Sequence, residues 1–364
     1  MLIDIIAGAR PNFMKIAPII KALEVRASEG GPLRYRLVHT GQHYDARMSG
    51  AFFEQLGIPQ PNVNLEAGGG TQGEQTAGIM VSYEKLLMES PCALCLVVGD
   101  VTSTMACAIA AQKLNIPVAH VEAGIRSGDW TMPEEINRMV TDSITNWFFT
   151  TSEWAGGNLR NAGVDDTRIF FVGNTMIDTL RANMPRFSAP DFWDERGLHA
   201  GEYFVVTLHR PANVDASGSF AAMLKAIGAG TRGLPVIFPV HPRTAKTLSD
   251  VIDLPENLVF ADPQPYLQFN YLVKHAKAVI TDSGGITEET TVMGVPCLTL
   301  RDNTERPETV ELGTNELVGT NPEALGPALD KLFAGNWKQG GIPPLWDGKT
   351  SERIVAALEQ LLCR

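Results

Sequence analysis

Three carboxylates in the first half of the sequence stand where acid–base chemistry needs them. Asp100 closes the apolar run LVVGD, Glu122 follows AHV in HVEAGIRSGD, and Glu134 lies in PEEINR. An acid placed directly after a buried parallel strand is costly unless it is paired or used. Clustered carboxylates raise one another's pKa, which supplies a base and a protonated acid near neutral pH. Such a cluster suits removal of a proton from carbon or its delivery to a leaving oxygen. Arg10 and Lys15, just after the first apolar run, offer cations for a phosphate or a developing negative charge. His209, beside Arg210, and His241 in FPVHPR end two later apolar runs. Plainer readings stand beside these. Asp100 also fits a helix N-cap, and Glu134 an ion pair with Arg138 four residues on, which would leave Glu135 solvated.

A second kind of chemistry is written into residues 278–308. An apolar run breaks at Ser283-Gly284-Gly285, and a helical pattern carrying Glu288 and Glu289 follows. Glycines just before a helix start let amides point at an anion that the helix dipole also favours. A carboxylate inside that helix suits a sugar hydroxyl, because an ionised carboxylate only accepts. The stretch therefore reads as a nucleotide site, with phosphate on the helix end and ribose on Glu289 or Glu288. The alternative is acidic residues that merely complement the dipole. Phe269, in PYLQFNYL, fits either a stacking platform for a base or a core aromatic.

The elements that must position these residues alternate strand and helix. Strands are expected at 2–7, 35–40, 94–98, 116–121 and 146–150, with helices over 14–26, 46–56, 73–88, 102–113, 134–145 and 153–161. A proline- and charge-rich stretch, 184–200, reads as a link. A second series follows, with strands at 203–208, 235–240, 257–260, 277–281 and 296–300 and helices over 218–229, 265–274, 285–293 and 322–333. This pattern predicts two α/β domains, each a parallel, doubly wound sheet, over 1–184 and 185–349. The amphipathic run 351–362 is available to pack back on the first. In open sheets of this kind ligands bind beyond the carboxyl ends of the strands, and two such sheets facing each other make a cleft for one.

Bulk properties narrow the function. The chain has 364 residues and a formal net charge of −11, which argues against a nucleic-acid surface. No apolar run reaches the roughly 20 residues of a membrane span, and the N-terminus lacks signal-peptide form. Five cysteines (Cys92, Cys95, Cys107, Cys297, Cys363) fit a reducing, cytoplasmic setting. Cys92 and Cys95 form a CxxC that leads into an apolar strand, so they are read as packing residues rather than a zinc or redox site.

Taken together, the motifs resemble the non-hydrolysing UDP-N-acetylglucosamine 2-epimerases. The resemblance runs nearly end to end: GARPNFMKIAP, GQH, GDVTST, HVEAGIRSGD, PEEINR, GNTMID, HRP, VHP, TDSGGITEE and RDNTERPE. It implies two Rossmann-like domains in the glycosyltransferase-B arrangement. The implied reaction interconverts UDP-GlcNAc and UDP-ManNAc by anti elimination of UDP to a 2-acetamidoglucal and re-addition, with no redox cofactor and no metal. It assigns Asp100, Glu122 and Glu134 to acid–base work, and His209, Arg10 and Lys15 to the diphosphate or departing UDP. Arg138 would orient the acids. Ser283, Gly284 and Gly285 would hold phosphate, with His241 also on the substrate, Glu289 on the ribose and Phe269 by the uracil. A homodimer is implied as well. So is the alternative of a 2,3-diacetamido uronic acid substrate in some relatives. Gln42, His43 and Arg210 match an allosteric nucleotide-sugar site of many bacterial members. Here Q-H-x-Q reads Gln42-His43-Tyr44-Asp45, and Gly68-Gly69-Gly70 replaces an expected basic residue. The usual G-T-R-P-E reads Gly8-Ala9-Arg10-Pro11-Asn12, and H-R-R-E-N reads His209-Arg210-Pro211-Ala212-Asn213.

Overall fold

The computed structural model describes residues 1–41, 55–214, 217–240, 242–249 and 251–363. The chain divides into two compact units, Met1–Ala182 with Pro344–Arg364, and Asn183–Pro343.

The first unit is built on β1 (Leu2–Ala7), β2 (Arg34–His39), β3 (Val63–Asn64), β4 (Leu94–Val98), β5 (Val118–Val121), β6 (Trp147–Thr150) and β7 (Ile169–Phe171). They lie in the order β3-β2-β1-β4-β5-β6-β7, and every pairing is parallel. Strands covered on both faces need continuous apolar runs, and LCLVV of β4 is buried at every residue. Register is set at the centre, where Ile5 faces Leu37 on one side and Leu96 on the other. Helices over Gln72–Glu89 and Thr102–Lys113 cover one face, where Ile79, Tyr83, Val97 and Cys107 share a core. The first of these helices starts with a capping box: Glu74 N–H donates to Thr71 Oγ1 at 3.3 Å, and Thr71 N–H to the Glu74 carboxylate at 2.8 Å. Cys92, Cys95 and Cys107 are buried in this region, and burial pushes the Cys92 thiol up to about 12. That suits packing and not thiolate chemistry.

The last helix, Thr350–Leu362, belongs to this unit. Asp178 accepts the amides of Thr350 at 3.1 Å and Ser351 at 2.7 Å, and Arg26 donates to Glu359 at 2.8 Å. Trp346, wholly buried, donates its indole N–H to the Thr151 carbonyl at 3.0 Å.

The second unit carries β8 (Phe204–Thr207), β9 (Val236–Pro239), β10 (Leu258–Ala261), β11 (Ala278–Thr281), β12 (Cys297–Thr299) and β13 (Asn315–Leu317). Their order is β10-β9-β8-β11-β12-β13, again parallel throughout. In both sheets the chain begins at the centre, builds outward to one edge, then returns to build the other. The reversal falls between β1 and β4 in the first and between β8 and β11 in the second. Crevices at such switch points are where doubly wound sheets hold ligands.

Three findings differ from the sequence expectation. The short edge strands β3, β7 and β13 were not foreseen, because two or three residues are too few to show a period. The stretch 184–200 is not a bare link: Phe192 and Trp193 pack on the second unit's core, and Trp193 meets the Tyr203 and Tyr271 rings edge-on at 5.4 and 5.1 Å. Helices also form over Thr175–Asn183 and Pro307–Glu311, which the periodicity did not bring out. The helix expected over 46–56 falls mostly outside the described residues. Among the described residues, no helix is long and apolar enough to cross a membrane.

Candidate functional site

At the first switch point, β1 runs through Gly8 and Ala9 into the helix Arg10–Ser28. Space here is tight, since a Cβ at Gly8 would sit 1.9 Å from Ser103 Oγ. Asn12 shapes the turn. Its Oδ1 accepts the amides of Gly8 at 3.2 Å and Ala9 at 3.1 Å, while Nδ2 donates to the Val98 carbonyl at 2.9 Å. One side chain thus ties the end of β1 to the end of β4.

Lys15, one turn further on, forms an ion pair with Glu122. Glu122 leaves β5 in the left-handed region at φ 68° and is buried. Gly99, at φ 71°, makes room for both groups: a Cβ there would lie 3.1 Å from Lys15 Nζ and 3.3 Å from Glu122 Oε2.

Asp100 follows Gly99. It is not an N-cap, since that place falls to Val101 and carries no side-chain bond. Its Oδ2 accepts from Arg138 Nε at 3.0 Å and Nη2 at 2.6 Å, and its side chain is 28% exposed. Asn137 donates to the Asp100 carbonyl at 2.8 Å. The helix Pro133–Ile144 therefore holds the Asp100 turn by two adjacent residues.

The expected pairing of Arg138 with Glu134 is not what forms. Arg138 Nη1 donates to Glu135 Oε2 at 2.6 Å, and Glu135 is buried rather than solvated. The reason lies in the loop before the helix, where Glu135 also accepts the amides of Ser127 at 3.0 Å and Gly128 at 3.1 Å. Burial alone would raise its pKa, but those amides and Arg138 hold it below the ordinary carboxylate value. Glu134 is half-buried and makes no ion pair among the described residues.

At the second switch point Asp282 is the hub. It is wholly buried and accepts the amides of His209 at 3.0 Å and Arg210 at 2.9 Å, Asn213 Nδ2 at 3.1 Å, and a contact from His209 Nδ1 at 2.8 Å. Burial opposes ionisation, yet His209 and the other donors keep its pKa low. The His209 side chain remains 47% exposed. Arg210 donates from Nε to the Asp282 carbonyl at 3.0 Å and lies 3.5 Å from Glu305. Arg301 holds Glu305 through two bonds of 2.6 and 2.9 Å, and although burial pushes the other way, Glu305 stays down at about 2.

Ser283 is the N-cap of the helix Gly284–Met293, with no side-chain cap bond; its own amide goes to Thr281 Oγ1 at 3.0 Å. The first amides of a helix have no partner within it, so Gly284 and Gly285 face outward from a positive dipole end. Of the two acids, Glu288 is taken by Arg306, whereas Glu289 accepts from the Tyr266 hydroxyl at 3.1 Å. Burial, with Glu288 beside it, pushes Glu289 up to about 7 against the pull of Tyr266. Phe269 is half-buried against the core of the second unit.

A sequence model of the family described as UDP-N-acetylglucosamine 2-epimerase matches residues 26–359. The chain belongs to this family. The UDP-N-acetylglucosamine 2-epimerase of Methanocaldococcus jannaschii is 40% identical over 98% of the chain and 99% of its own length. A solved structure of the UDP-GlcNAc 2-epimerase from that organism, in complex with UDP-GlcNAc and UDP, superposes with a TM-score of 0.88 at 40% identity, covering 99% of this chain and 100% of that one. The UDP-2,3-diacetamido-2,3-dideoxy-D-glucuronate 2-epimerase of Pseudomonas aeruginosa is 39% identical over 99% of the chain and all of its own length. The two parallel sheets are thus the glycosyltransferase-B-like fold of the 2-epimerases.

For a 2-epimerase, the residues singled out in the sequence fall into two groups. Lys15, Asp100, Glu122 and Arg138 come together in the first unit, and Glu134 stands on the same helix as Arg138. His209, Arg210, Ser283, Gly284, Gly285 and Glu289 gather in the second. Arg10 opens its helix, but its side chain, like Gln42, His43 and His241, lies outside what is described. The sequence reading passed over Asn12, Asp282 and Glu305, and took Glu135 for a solvated residue. Asp282 was open to discovery by the argument used for Glu122, an acid placed immediately after a buried strand. Glu135 was not, because a helical wheel does not show the loop whose amides it accepts.

Proposed function

We propose that the protein interconverts UDP-GlcNAc and UDP-ManNAc by epimerisation at C2, with no redox cofactor. A carboxylate of the Asp100, Glu122 and Glu134 set removes the C2 proton. The C1–C2 double bond forms as the C1–oxygen bond breaks, and the electron pair departs with UDP. Proton delivery to the opposite face of C2, with re-addition of UDP at C1, completes the exchange. A C2 hydrogen is weakly acidic, so departure of a stabilised diphosphate must share the work. Lys15, Arg10 and His209 are the groups for that charge, with the Ser283 side chain and the amides of Gly284 and Gly285 on phosphate. In this reading His241 joins them, Glu289 takes the ribose and Phe269 the uracil. Arg138 and Glu135 keep Asp100 in place.

One observation carries the reading. Asp100 and Glu122 end adjacent strands at a switch point, each against a cation, in a chain of this family. A second reading, a UDP-2,3-diacetamido uronic acid as substrate, is favoured by the Pseudomonas relative. Incubation of each nucleotide sugar alone in D2O tests both. The first reading expects the ManNAc epimer and deuterium at C2 from UDP-GlcNAc. Turnover of the uronate alone would replace it with the second, and turnover of neither would end both. The buried, unbridged thiols suit a cytoplasmic enzyme. A homodimer and a supply of activated sugar to polysaccharide assembly complete the proposal.

A further inference from the structure

His120 sits on β5, two residues before Glu122, and is wholly buried. Its Nε2 lies 2.8 Å from the Gly99 carbonyl oxygen, immediately before Asp100, and its Nδ1 lies 2.7 Å from Asp142 Oδ1. The other oxygen of Asp142 accepts the Gly124 amide at 3.1 Å and pairs with Arg126 Nη1 at 2.7 Å. The ring therefore touches the turn that presents Asp100 directly, and reaches the turn that presents Glu122 through Asp142 and Gly124.

Both turns need such a brace. Gly99 at φ 71°, Glu122 at 68° and Gly124 at 78° all stand in the left-handed region. For Glu122, which has a Cβ, that conformation is strained and persists only where the surroundings enforce it. The partners also fix the chemistry of the ring. A carbonyl only accepts. Asp142 only accepts when ionised, and although burial opposes that state, His120 and Arg126 keep its carboxyl below its ordinary value. A neutral imidazole donates from one nitrogen and so serves one of the two acceptors, whereas an imidazolium serves both.

We propose that His120 is a positioning residue, donating from both ring nitrogens to bridge the Gly99 carbonyl and Asp142, and so setting Asp100 and Glu122 relative to each other. The charged groups around the bridge are Asp142 and Arg126, with the Lys15–Glu122 and Arg138–Asp100 pairs on the turns it joins. The proposal rests on the epimerase reading for its effect on rate, but not for its hydrogen bonds.

Two measurements test it. The ring nitrogens of His120 in the intact protein, observed by 15N NMR at neutral pH, are expected to carry a proton each. A single ring proton would overturn the bridge, and that result is independent of any substrate. His120→Asn keeps a donor for Asp142 and loses the one for Gly99. It is expected to lower kcat by about 10- to 100-fold, the scale of a small misplacement of reacting groups, with KM and UDP affinity little changed. A residue that only fills the core would lower the melting temperature and leave kcat per folded enzyme intact, and that outcome would overturn the positioning role. If wild type fails to exchange C2 deuterium, the proposed function falls while the ring protons still decide the bridge.

Discussion

The two switch points have the same topology and use their acids in opposite ways. In the first unit Asp100 ends its strand partly reachable from solvent, with 28% of its side chain exposed, and Arg138 holds its Oδ2 through Nε and Nη2. In the second unit Asp282 follows its strand at the corresponding place, but its side chain is 0% exposed and both oxygens are spent on backbone amides and side chains of residues 209–213. In the proposed function the first acid is a reagent. The second is walled in and holds His209 and Arg210 by their amides. On that reading an acid after a parallel strand serves either as a reagent or as a scaffold, and the two differ in exposure and in the nature of their donors.

The contrast breaks most visibly at Asp100 and Glu122. Asp100→Asn or Glu122→Gln is expected to lower kcat by about 10²- to 10⁴-fold, the range for loss of a general acid or base, while calorimetry shows UDP binding retained. Next in size is Asp282→Asn, which leaves donors facing an amide. It should cost about 1–3 kcal/mol, or about 2–4 °C of melting temperature for each kcal/mol, and weaken UDP binding measured on the same sample.

A third pair of variants sharpens the comparison within one helix. Glu135→Gln weakens the hold on Arg138, Ser127 and Gly128, and should lower the thermal midpoint by the equivalent of about 1–2 kcal/mol. Glu134→Gln should leave the midpoint unchanged and reduce turnover. The reverse pattern would exchange their roles.

The smallest effect is in pH dependence. Glu289 and Glu308 are both pushed by burial up to about 7. A carboxyl raised in the folded state releases its proton later than in the unfolded chain. Its contribution is therefore complete below the unfolded value near 4.5 and is lost as pH rises through about 7. Without nucleotide, melting temperature should fall between these limits, and Glu289→Gln should flatten part of the fall. Glu305, held at about 2 despite burial, has the opposite sign: its stabilisation is present above the unfolded value and disappears only in strong acid.

The central strands and the flanking helices were legible because a parallel strand covered on both faces must be a continuous apolar run. Asp100 and Glu122 were legible for the same reason, since each follows such a run, whereas Glu134 stands in the first turn of a helix. The sequence was mute where partners come from distant loops. The period along PEEINR is silent on whether Glu134 or Glu135 meets Arg138, and the amides of Ser127 and Gly128 decide it. Nor does VAHV reveal that His120 faces Gly99 and Asp142. Residues 184–200 misled because prolines and charges dominate their composition, while Leu198 is buried in the second unit's core and Phe192 and Trp193 pack against it.

The most direct test of this division of labour is deuterium incorporation at C2 of UDP-GlcNAc by Asp100→Asn, followed in D2O beside UDP titration of the same preparation. The expected result is loss of C2 exchange with undiminished UDP affinity. Exchange at the wild-type rate, or loss of UDP binding in step with loss of exchange, would contradict the assignment of the proton chemistry to the first unit.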